Sequence, residues 1–307
     1  MPVSRGRAVL GLALALALQA PAALAQDAVR VASKIDTEGA LLGSMMLEML
    51  DAAGIKTVNK LQLGPTNILR RAIIAGEIDA YPEYTGNGAI FYNLQSDPVW
   101  QSAERGYQRI KALDSARRNL IWLAPAPADN SWVIVVRRDV AAEHKLESLA
   151  DFARWVNDGG EVKLAASAEF VESPAALPAF ERAYGFRLRH SQVLTLAGGN
   201  TAVTIRAAAE DISGVNAAMA YGTDGALAVL ALTVMSDPEK AQVVYAPAPV
   251  VRGQVLDRYP EIKGALDPVF KTLDQATLRR LNAQIAVDGE APRQVARDYL
   301  KTKGFLH

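Results

Sequence analysis

Short apolar segments of this chain alternate with longer segments in which apolar residues recur every three to four positions. Residues 30–33 are predicted to form the first strand, and Thr37 is predicted to precede a helix. Its apolar side chains share one helical face: Leu41, Leu42, Met45, Met46 and Met49. Repeated strand–helix alternation of this kind predicts an α/β fold with mostly parallel sheets.

The same periodicities extend along the rest of the chain. Further helices are predicted over residues 67–75, 97–117, 149–157, 178–184 and 201–212, with a last helical group over 259–303. Further strands are predicted over residues 78–81, 120–123, 133–136, 162–165, 192–194 and 216–221. Pro82 is expected to end the strand before it, because proline cannot donate to a ladder.

Two segments indicate that the chain passes twice between two lobes. The first is the stiff Ala/Pro connector of residues 124–128, and the second lies near residues 233–238, where Ser-Asp-Pro interrupts an apolar run. The predicted first lobe is therefore residues 26–131 plus 233–307, and the second is residues 132–232. Two α/β lobes joined twice enclose a cleft, which is typical of a protein that closes on a small ligand.

The N-terminus has the pattern of a secretory signal peptide. Arg5 and Arg7 precede an apolar run over residues 9–18, and Ala23-Leu24-Ala25 is a small-x-small cleavage site. The alternative is a membrane anchor, but an apolar run of about ten residues is short of the roughly 20 that span a bilayer. We expect cleavage after Ala25 and export to the periplasm.

Composition excludes several classes of function. The charges balance, with 33 Lys+Arg and 33 Asp+Glu, and no basic run points to nucleic acid. There is no cysteine, so the core holds the fold without disulfides. His144, His190 and His307 lie far apart, and neither a GxSxG nor an HExxH motif occurs. We therefore expect neither a cofactor nor a metal site, and an exported enzyme is the disfavoured alternative.

Several short stretches, taken in order, resemble one family. They are Ser33-Lys34 with Thr37-Glu38, Tyr81-Pro82-Glu83-Tyr84-Thr85-Gly86, Asp129-Asn130-Ser131-Trp132, Ala220-Tyr221-Gly222-Thr223-Asp224-Gly225, Ala248-Pro249-Val250-Val251-Arg252 and the final Gly304-Phe305-Leu306. The mature chain resembles the substrate-binding proteins of ABC importers for glycine betaine, choline, carnitine and related osmoprotectants. The resemblance implies the two-lobed periplasmic-binding-protein fold of type II. It also implies delivery of a quaternary-ammonium ligand to an inner-membrane ABC permease. We expect a monomer, because a protein that closes on its ligand must expose both lobes to the permease.

The resemblance also implies a cage of aromatic rings. A trimethylammonium group is cationic but has no N–H, so aromatic faces, which combine apolar surface with a negative quadrupole, suit it better than hydrogen-bond acceptors. Carried over position by position, Tyr84 is a cage wall on the first lobe. Trp132 stands where the family has a tyrosine, and Tyr221 is the matching tyrosine of the second lobe.

Polar positions of the family carry over in the same way. Lys34, at the end of the first strand, is expected to pair with a ligand carboxylate, and Asn87 is expected to donate to the same group. Asn130 lies where some members use an aspartate to complement the ammonium.

Two positions depart from the family pattern. Glu172 stands where betaine-specific relatives have an arginine for the carboxylate, and Asn200, after two glycines, stands where relatives supply another tyrosine. A site with Glu172 and without that ring would bind glycine betaine weakly or prefer a choline-like cation. The alternative is the same fold binding an amino acid, a polyamine or another small polar solute.

Overall fold

The structure is a computed structural model that describes Met1 and residues 28–196 and 201–306. Apart from Met1, the predicted signal peptide lies outside the described residues. Within the described part, no helix has both the length and the hydropathy that a membrane crossing requires.

The described residues form two five-stranded sheets flanked by helices. In chain order, the strands are β1 (Val29–Lys34), β2 (Thr57–Gly64), β3 (Ala80–Tyr84), β4 (Leu120–Trp122), β5 (Trp132–Arg137), β6 (Leu164–Ser167), β7 (Val193–Leu196), β8 (Ala217–Tyr221), β9 (Leu232–Val234) and β10 (Pro247–Arg252).

The α-helices are α1 (Thr37–Ala52), α2 (Thr66–Ala75), α3 (Asn87–Phe91), α4 (Ala103–Arg118), α5 (Arg138–His144), α6 (Leu149–Asn157), α7 (Ala168–Glu172), α8 (Leu177–Tyr184), α9 (Thr201–Ala209), α10 (Ala226–Val229), α11 (Gly253–Arg258), α12 (Glu261–Phe270), α13 (Gln275–Ala286) and α14 (Pro292–Thr302). Short 3₁₀ turns cover Pro98–Gln101, His190–Gln192 and Ile212–Gly214.

Each sheet has the same strand arrangement. The first runs β2-β1-β3-β10-β4 and the second runs β7-β6-β8-β5-β9. In each, one strand that follows a crossing is antiparallel to its neighbours: β10 pairs with β3 and β4, and β5 pairs with β8 and β9. We call the first sheet with its helices the first lobe, and the second sheet with its helices the second lobe. The predicted two-lobed α/β fold is confirmed.

The second crossing lies later in the chain than the sequence suggested. Leu232–Val234 is strand β9, which pairs with β5 in the second sheet. Met235 belongs to the second lobe's apolar core, and Ala241 packs against that core. The predicted boundary between residues 232 and 233 therefore cuts a strand, and the chain returns to the first sheet only after residue 241. Ser-Asp-Pro marks the end of an edge strand and not the passage itself.

Strand β3 continues through Pro82, contrary to the prediction that Pro82 ends it. Pro82 lies opposite Pro249 of β10, and β3 pairs with β1 at only one position, Val31 with Ala80. Neither neighbour of β3 therefore requires an N–H at Pro82. The continuation carries Tyr84 to the last position of the strand.

Helix α1 is the central helix of the first lobe. It begins at Thr37 itself, whereas the prediction placed Thr37 before the helix, because the Asp36 side chain caps the helix by accepting a hydrogen bond from the Gly39 N–H at 2.7 Å. Its predicted apolar face is buried, but so are most of its other residues from Glu38 to Leu50, because the helix lies between β1 and helix α14. A helix buried on all sides can hold a polar side chain in the interior, and Glu38 is one.

The structure differs from the predicted elements in three smaller ways. Strand β2 was not predicted, because polar and apolar residues do not alternate in its sequence TVNKLQLG and most of its side chains are exposed, as suits an edge strand. The long helix over 97–117 is broken at Ser102, which caps α4. The helix predicted over 201–212 ends at Ala209, before Asp211 and Ser213 adopt left-handed backbone conformations.

Candidate functional site

A cavity of about 1000 Å³ lies between the two lobes. It brings together six of the eight residues predicted to bind a ligand: Lys34, Tyr84, Asn87, Asn130, Trp132 and Tyr221. The ends of strands β1, β3 and β8 and the start of β5 position four of them. Strand ends and the loops after them therefore build the site, as is usual for clefts in α/β proteins.

Trp132 and Tyr221 form the aromatic wall of the second lobe. They are register partners on β5 and β8, and their rings stack with centroids 4.3 Å apart at an angle of 24°. Phe170 packs edge-on against Trp132 at 5.4 Å and holds it from behind. A cation cannot enter between faces this close, because cation–π contacts place the cation up to about 6 Å from each centroid. A ligand can meet this wall only on an outer face.

Tyr84 and Tyr245 add rings from the first lobe and the second crossing. Both line the cavity, as does Phe91 at the end of α3. Gly86 allows the close packing at this point, since an added Cβ would lie 2.8 Å from the Tyr245 ring. Among the described residues, five aromatic side chains therefore line the cavity, where the sequence had indicated three.

Glu38 is the most deeply buried acid of the cavity wall. Its Oε1 accepts a hydrogen bond from the Tyr84 hydroxyl at 2.7 Å, and its Oε2 accepts one from the Asn282 amide at 2.7 Å. Burial raises the pKa of Glu38 to about 7, against the lowering effect of its hydrogen bonds with Thr223, Tyr84 and Asn282. No lysine or arginine forms an ion pair with Glu38 in the part of the chain that the structure describes.

Lys34 and Asn87, predicted to hold a ligand carboxylate, are both bound to Glu83. The Lys34 ammonium lies 2.6 Å from Glu83 Oε1 and donates to the Thr66 hydroxyl at 2.7 Å. The Asn87 amide donates to the same Glu83 oxygen at 2.8 Å. Glu83 is fully buried, so its charge requires these partners. Lys34 also lies 4.7 Å from the centre of the Tyr84 ring, where an internal cation already covers part of one face.

Asn130 offers an acceptor that is still free. Its Oδ1 is buried without a hydrogen-bond partner among the described residues, while its backbone N–H is bonded to the Tyr245 carbonyl at 3.0 Å. A buried carbonyl oxygen beside a cavity favours a ligand with positive charge or a hydroxyl donor. The predicted role of Asn130 towards an ammonium remains a prediction.

The two departures from the family pattern have different outcomes. Glu172 is exposed at the end of α7 and does not line the cavity, whereas Glu169, one turn earlier, does. The prediction that Glu172 faces the ligand is therefore wrong, since the short helix turns it away. Asn200, with the glycines before it, lies outside the described residues.

The remaining charges of the cavity are mainly negative. Lys34 is paired with Glu83, and Arg70 is paired with buried Asp114 through two hydrogen bonds of 2.5 and 2.8 Å. Arg71 is the other cation among the described lining residues, and it is exposed. In that same part of the chain, the lining carboxylates without such a cation are Asp36, Glu38, Glu169 and Asp224. This balance favours a cationic ligand group.

Helix α13 of the first lobe holds the loop that follows Tyr221 in the second lobe. Arg279 Nε donates to the Gly222 carbonyl at 2.7 Å, and Asn282 Nδ2 donates to the Thr223 carbonyl at 2.9 Å. Gln275 bridges the Gly222 and Asp129 carbonyls. These contacts join the lobes at the edge of the cavity, next to Glu38.

We expect Gly225→Ala to weaken this junction. An added Cβ would lie 2.3 Å from the Ala283 backbone nitrogen and 2.4 Å from the Asn282 carbonyl carbon. Helix backbone cannot move aside easily, so the loop must shift, and the free energy of unfolding should fall by about 1–3 kcal/mol. Chemical denaturation followed by tryptophan fluorescence measures this change.

Gly264→Ala is the matched control for that experiment. Gly264 lies inside α12, and nothing lies within 4 Å of an added Cβ. The control should raise the free energy of unfolding by about 0.5–1 kcal/mol, because alanine favours a helix over glycine. Equal stability of the two variants would show that the Gly225 loop does not need its close contact with α13.

Sequence reasoning missed three residues that shape the cavity. Glu38 and Glu83 lie within the stretches that carried the family resemblance, but only residues next to them were assigned a role in the site. Tyr245 precedes the stretch Ala248–Arg252 by three residues, and no motif in the sequence marked it as a site residue. All three were missed for the same reason: burial, and pairing between residues far apart in the chain, leave no local sequence pattern. Tyr84 and Glu38, for example, are 46 positions apart.

Comparison with known proteins agrees with this geometry. Residues 27–302 match the family model described as the substrate binding domain of ABC-type glycine betaine transport systems. The glycine betaine-binding protein YehZ of Escherichia coli is 57% identical over 98% of this chain and 97% of its own length. A glycine-betaine-binding protein of Pseudomonas aeruginosa is 30% identical over 98% of this chain and 96% of its own length.

A solved structure agrees as well. The apo form of Escherichia coli YehZ superposes with a TM-score of 0.82 at 58% identity, covering 91% of this chain and 100% of that one. The family resemblance drawn from the short stretches is thereby confirmed. This chain belongs to the family of substrate-binding domains of ABC-type glycine betaine transport systems.

Proposed function

We propose that this chain binds a quaternary-ammonium solute of the glycine betaine or choline type in the cavity between its lobes and delivers it to an ABC permease. The observation that carries the proposal is the combination of five aromatic residues with an excess of unpaired carboxylates around one cavity. A permanent cation without N–H groups is the ligand class that needs both. Two relatives named for glycine betaine support the same class.

The outer face of the Trp132–Tyr221 pair and the ring of Tyr84 form opposite walls for the ammonium in this proposal. The Oδ1 of Asn130, unpartnered among the described residues, adds a partial negative charge that favours the ammonium. Lys34 and Asn87 serve mainly as partners of Glu83, so they contribute little to binding a ligand carboxylate. Choline, which carries no carboxylate, then binds at least as well as glycine betaine.

Delivery follows from closure of the lobes. A ligand that contacts both walls at once stabilises the closed form by its differential affinity, and no bond is made or broken. The protein acts as an exported monomer, cleaved after Ala25, that docks on its permease at the inner membrane. It is not an enzyme in this account.

Isothermal titration calorimetry of the chain beginning at Gln26 tests the proposal. The ligands are glycine betaine, choline, carnitine, a polyamine and a panel of amino acids. Heat with the quaternary ammonium compounds alone supports the proposal. Binding of a polyamine or an amino acid without any quaternary ammonium compound would replace it with the alternative ligand class.

A further inference from the structure

The contacts of Glu38 do not explain why a carboxylate is buried at this position. Its hydrogen-bond partners Tyr84, Asn282 and Thr223 are all neutral, and no cation offsets its charge among the described residues. By contrast Glu83, equally buried and 45 positions later, is paired with Lys34. A buried carboxylate that lines a cavity without a counter-ion is costly unless something else supplies the positive charge.

We propose that Glu38 supplies the negative charge that faces the ligand's ammonium, and that uptake of a permanent cation expels the proton that Glu38 holds in the empty site. This inference rests on the proposed function and adds a specificity-determining residue to it. The Tyr84 hydroxyl connects the two parts of the cage. A phenol that donates to a carboxylate becomes richer in electrons, so an ionised Glu38 also strengthens the Tyr84 ring as a cation–π partner.

The surrounding charges fit this role. Asp36 at the start of α1 disfavours ionisation of Glu38, while Thr223 and Asn282 stabilise the ionised form. The other titratable or charged groups of the elements packed around it are Lys34 on β1, Glu83 and Tyr84 on β3, Arg279 on α13 and Asp224 after β8. Lys34 is held by Glu83, and Arg279 acts on Asp224, so a ligand cation is the group left to compensate Glu38.

The direction of the pH dependence follows from burial. The pKa of Glu38 in the empty site is raised to about 7, so the empty site holds a proton on this group below that pH. A bound cation favours the ionised form and lowers that pKa. Affinity for a permanent cation is therefore expected to rise with pH, by about tenfold between pH 6 and pH 8, and to level off above pH 8.

Choline is the probe for this test, because its ammonium carries no proton that could titrate. Calorimetric titrations at pH 6, 7 and 8, each in two buffers of different ionisation enthalpy, give affinity and the number of protons released. We expect release of nearly one proton at pH 6, about half a proton at pH 7 and about a tenth of a proton at pH 8. This measurement uses the unaltered chain and depends on no variant.

Three variants assign the proton to Glu38. Glu38→Gln is expected to bind choline with the same affinity at every pH and to release no proton. Tyr84→Phe keeps the ring but removes a hydrogen bond that stabilises the ionised carboxylate, so the midpoint of the pH dependence should move upward. Glu48→Gln is the control: Glu48 is a buried acid of the same helix, paired with Arg293 and Arg297 away from the cavity, and it should behave as the unaltered chain.

The outcomes separate this inference from the proposed function. Choline binding with constant affinity and no proton release would overturn the role of Glu38 and leave the ligand class standing. Proton release that persists in Glu38→Gln would assign it to another group, such as Asp224, and also overturn the inference. Absence of binding by any quaternary ammonium compound at every pH would overturn the proposed function itself.

Discussion

Replacing Lys34 with methionine is expected to lower the free energy of unfolding by about 3–5 kcal/mol, because it leaves the buried Glu83 charge without its cation. The Lys34 side chain is only 8% exposed and that of Glu83 is 0% exposed, so water cannot compensate for the loss. If Lys34 instead served chiefly to bind a ligand carboxylate, the variant would keep its stability and lose glycine betaine selectively over choline.

Chemical denaturation with and without ligand distinguishes these roles. Lys60→Met is the matched control, since Lys60 is exposed on edge strand β2 and its loss should change stability by less than about 0.5 kcal/mol. The double variant Lys34→Met with Glu83→Gln removes both charges and should recover much of the stability. A single variant as stable as the control would contradict the ion-pair role.

Trp132→Ala is expected to reduce the affinity for choline and for glycine betaine by about 30-fold. The substitution removes one cation–π face, worth about 0.5–2 kcal/mol, and releases Tyr221 from a stack worth about 0.5–1.5 kcal/mol more. Together these amount to about 1–3.5 kcal/mol, and the middle of that range, about 2 kcal/mol, corresponds to about 30-fold in affinity. Calorimetric titration gives the affinity, and circular dichroism checks that the variant is folded.

Trp132→Phe is the companion variant. It keeps an aromatic face against Tyr221 and Phe170, so it should retain most of the affinity that Trp132→Ala loses. Equal losses in the two variants would mean that the size of the indole matters more than its aromatic face. Unchanged affinity in both would remove Trp132 from the site.

Apolar periodicity predicted the layered fold because each helix or strand packs on the next layer through its apolar face. The start of α1 at Thr37 follows from a local cap, and its apolar face follows from a helical repeat. Strand β2 escaped prediction because an exposed edge strand has no buried face to reveal it. The prediction that Pro82 ends its strand was wrong because the effect of a proline depends on the neighbouring strand. No local rule places Pro249 opposite Pro82.

The site shows the same division. Tyr84, Trp132 and Tyr221 are recognisable because the short stretches around them resemble the family, although the pattern ended the strand before Tyr84 at Pro82. The ion pair between Lys34 and Glu83 cannot be predicted in this way, since it depends on which side chains become buried together. Glu172 shows the reverse error: a position inferred from relatives faces away once α7 ends beside it, and Glu169 takes its place at the cavity.

The central claim is that the cavity recognises positive charge, not merely a trimethyl shape. Choline and its uncharged carbon isostere 3,3-dimethylbutan-1-ol have nearly the same shape and share the hydroxyl, so calorimetric titration of the two at pH 8 isolates the charge. The account predicts that choline binds and that the isostere binds at least about 30-fold more weakly, equivalent to about 2 kcal/mol of cation–π and carboxylate interaction. Equal affinities would contradict it, because an apolar cavity would then explain all the binding.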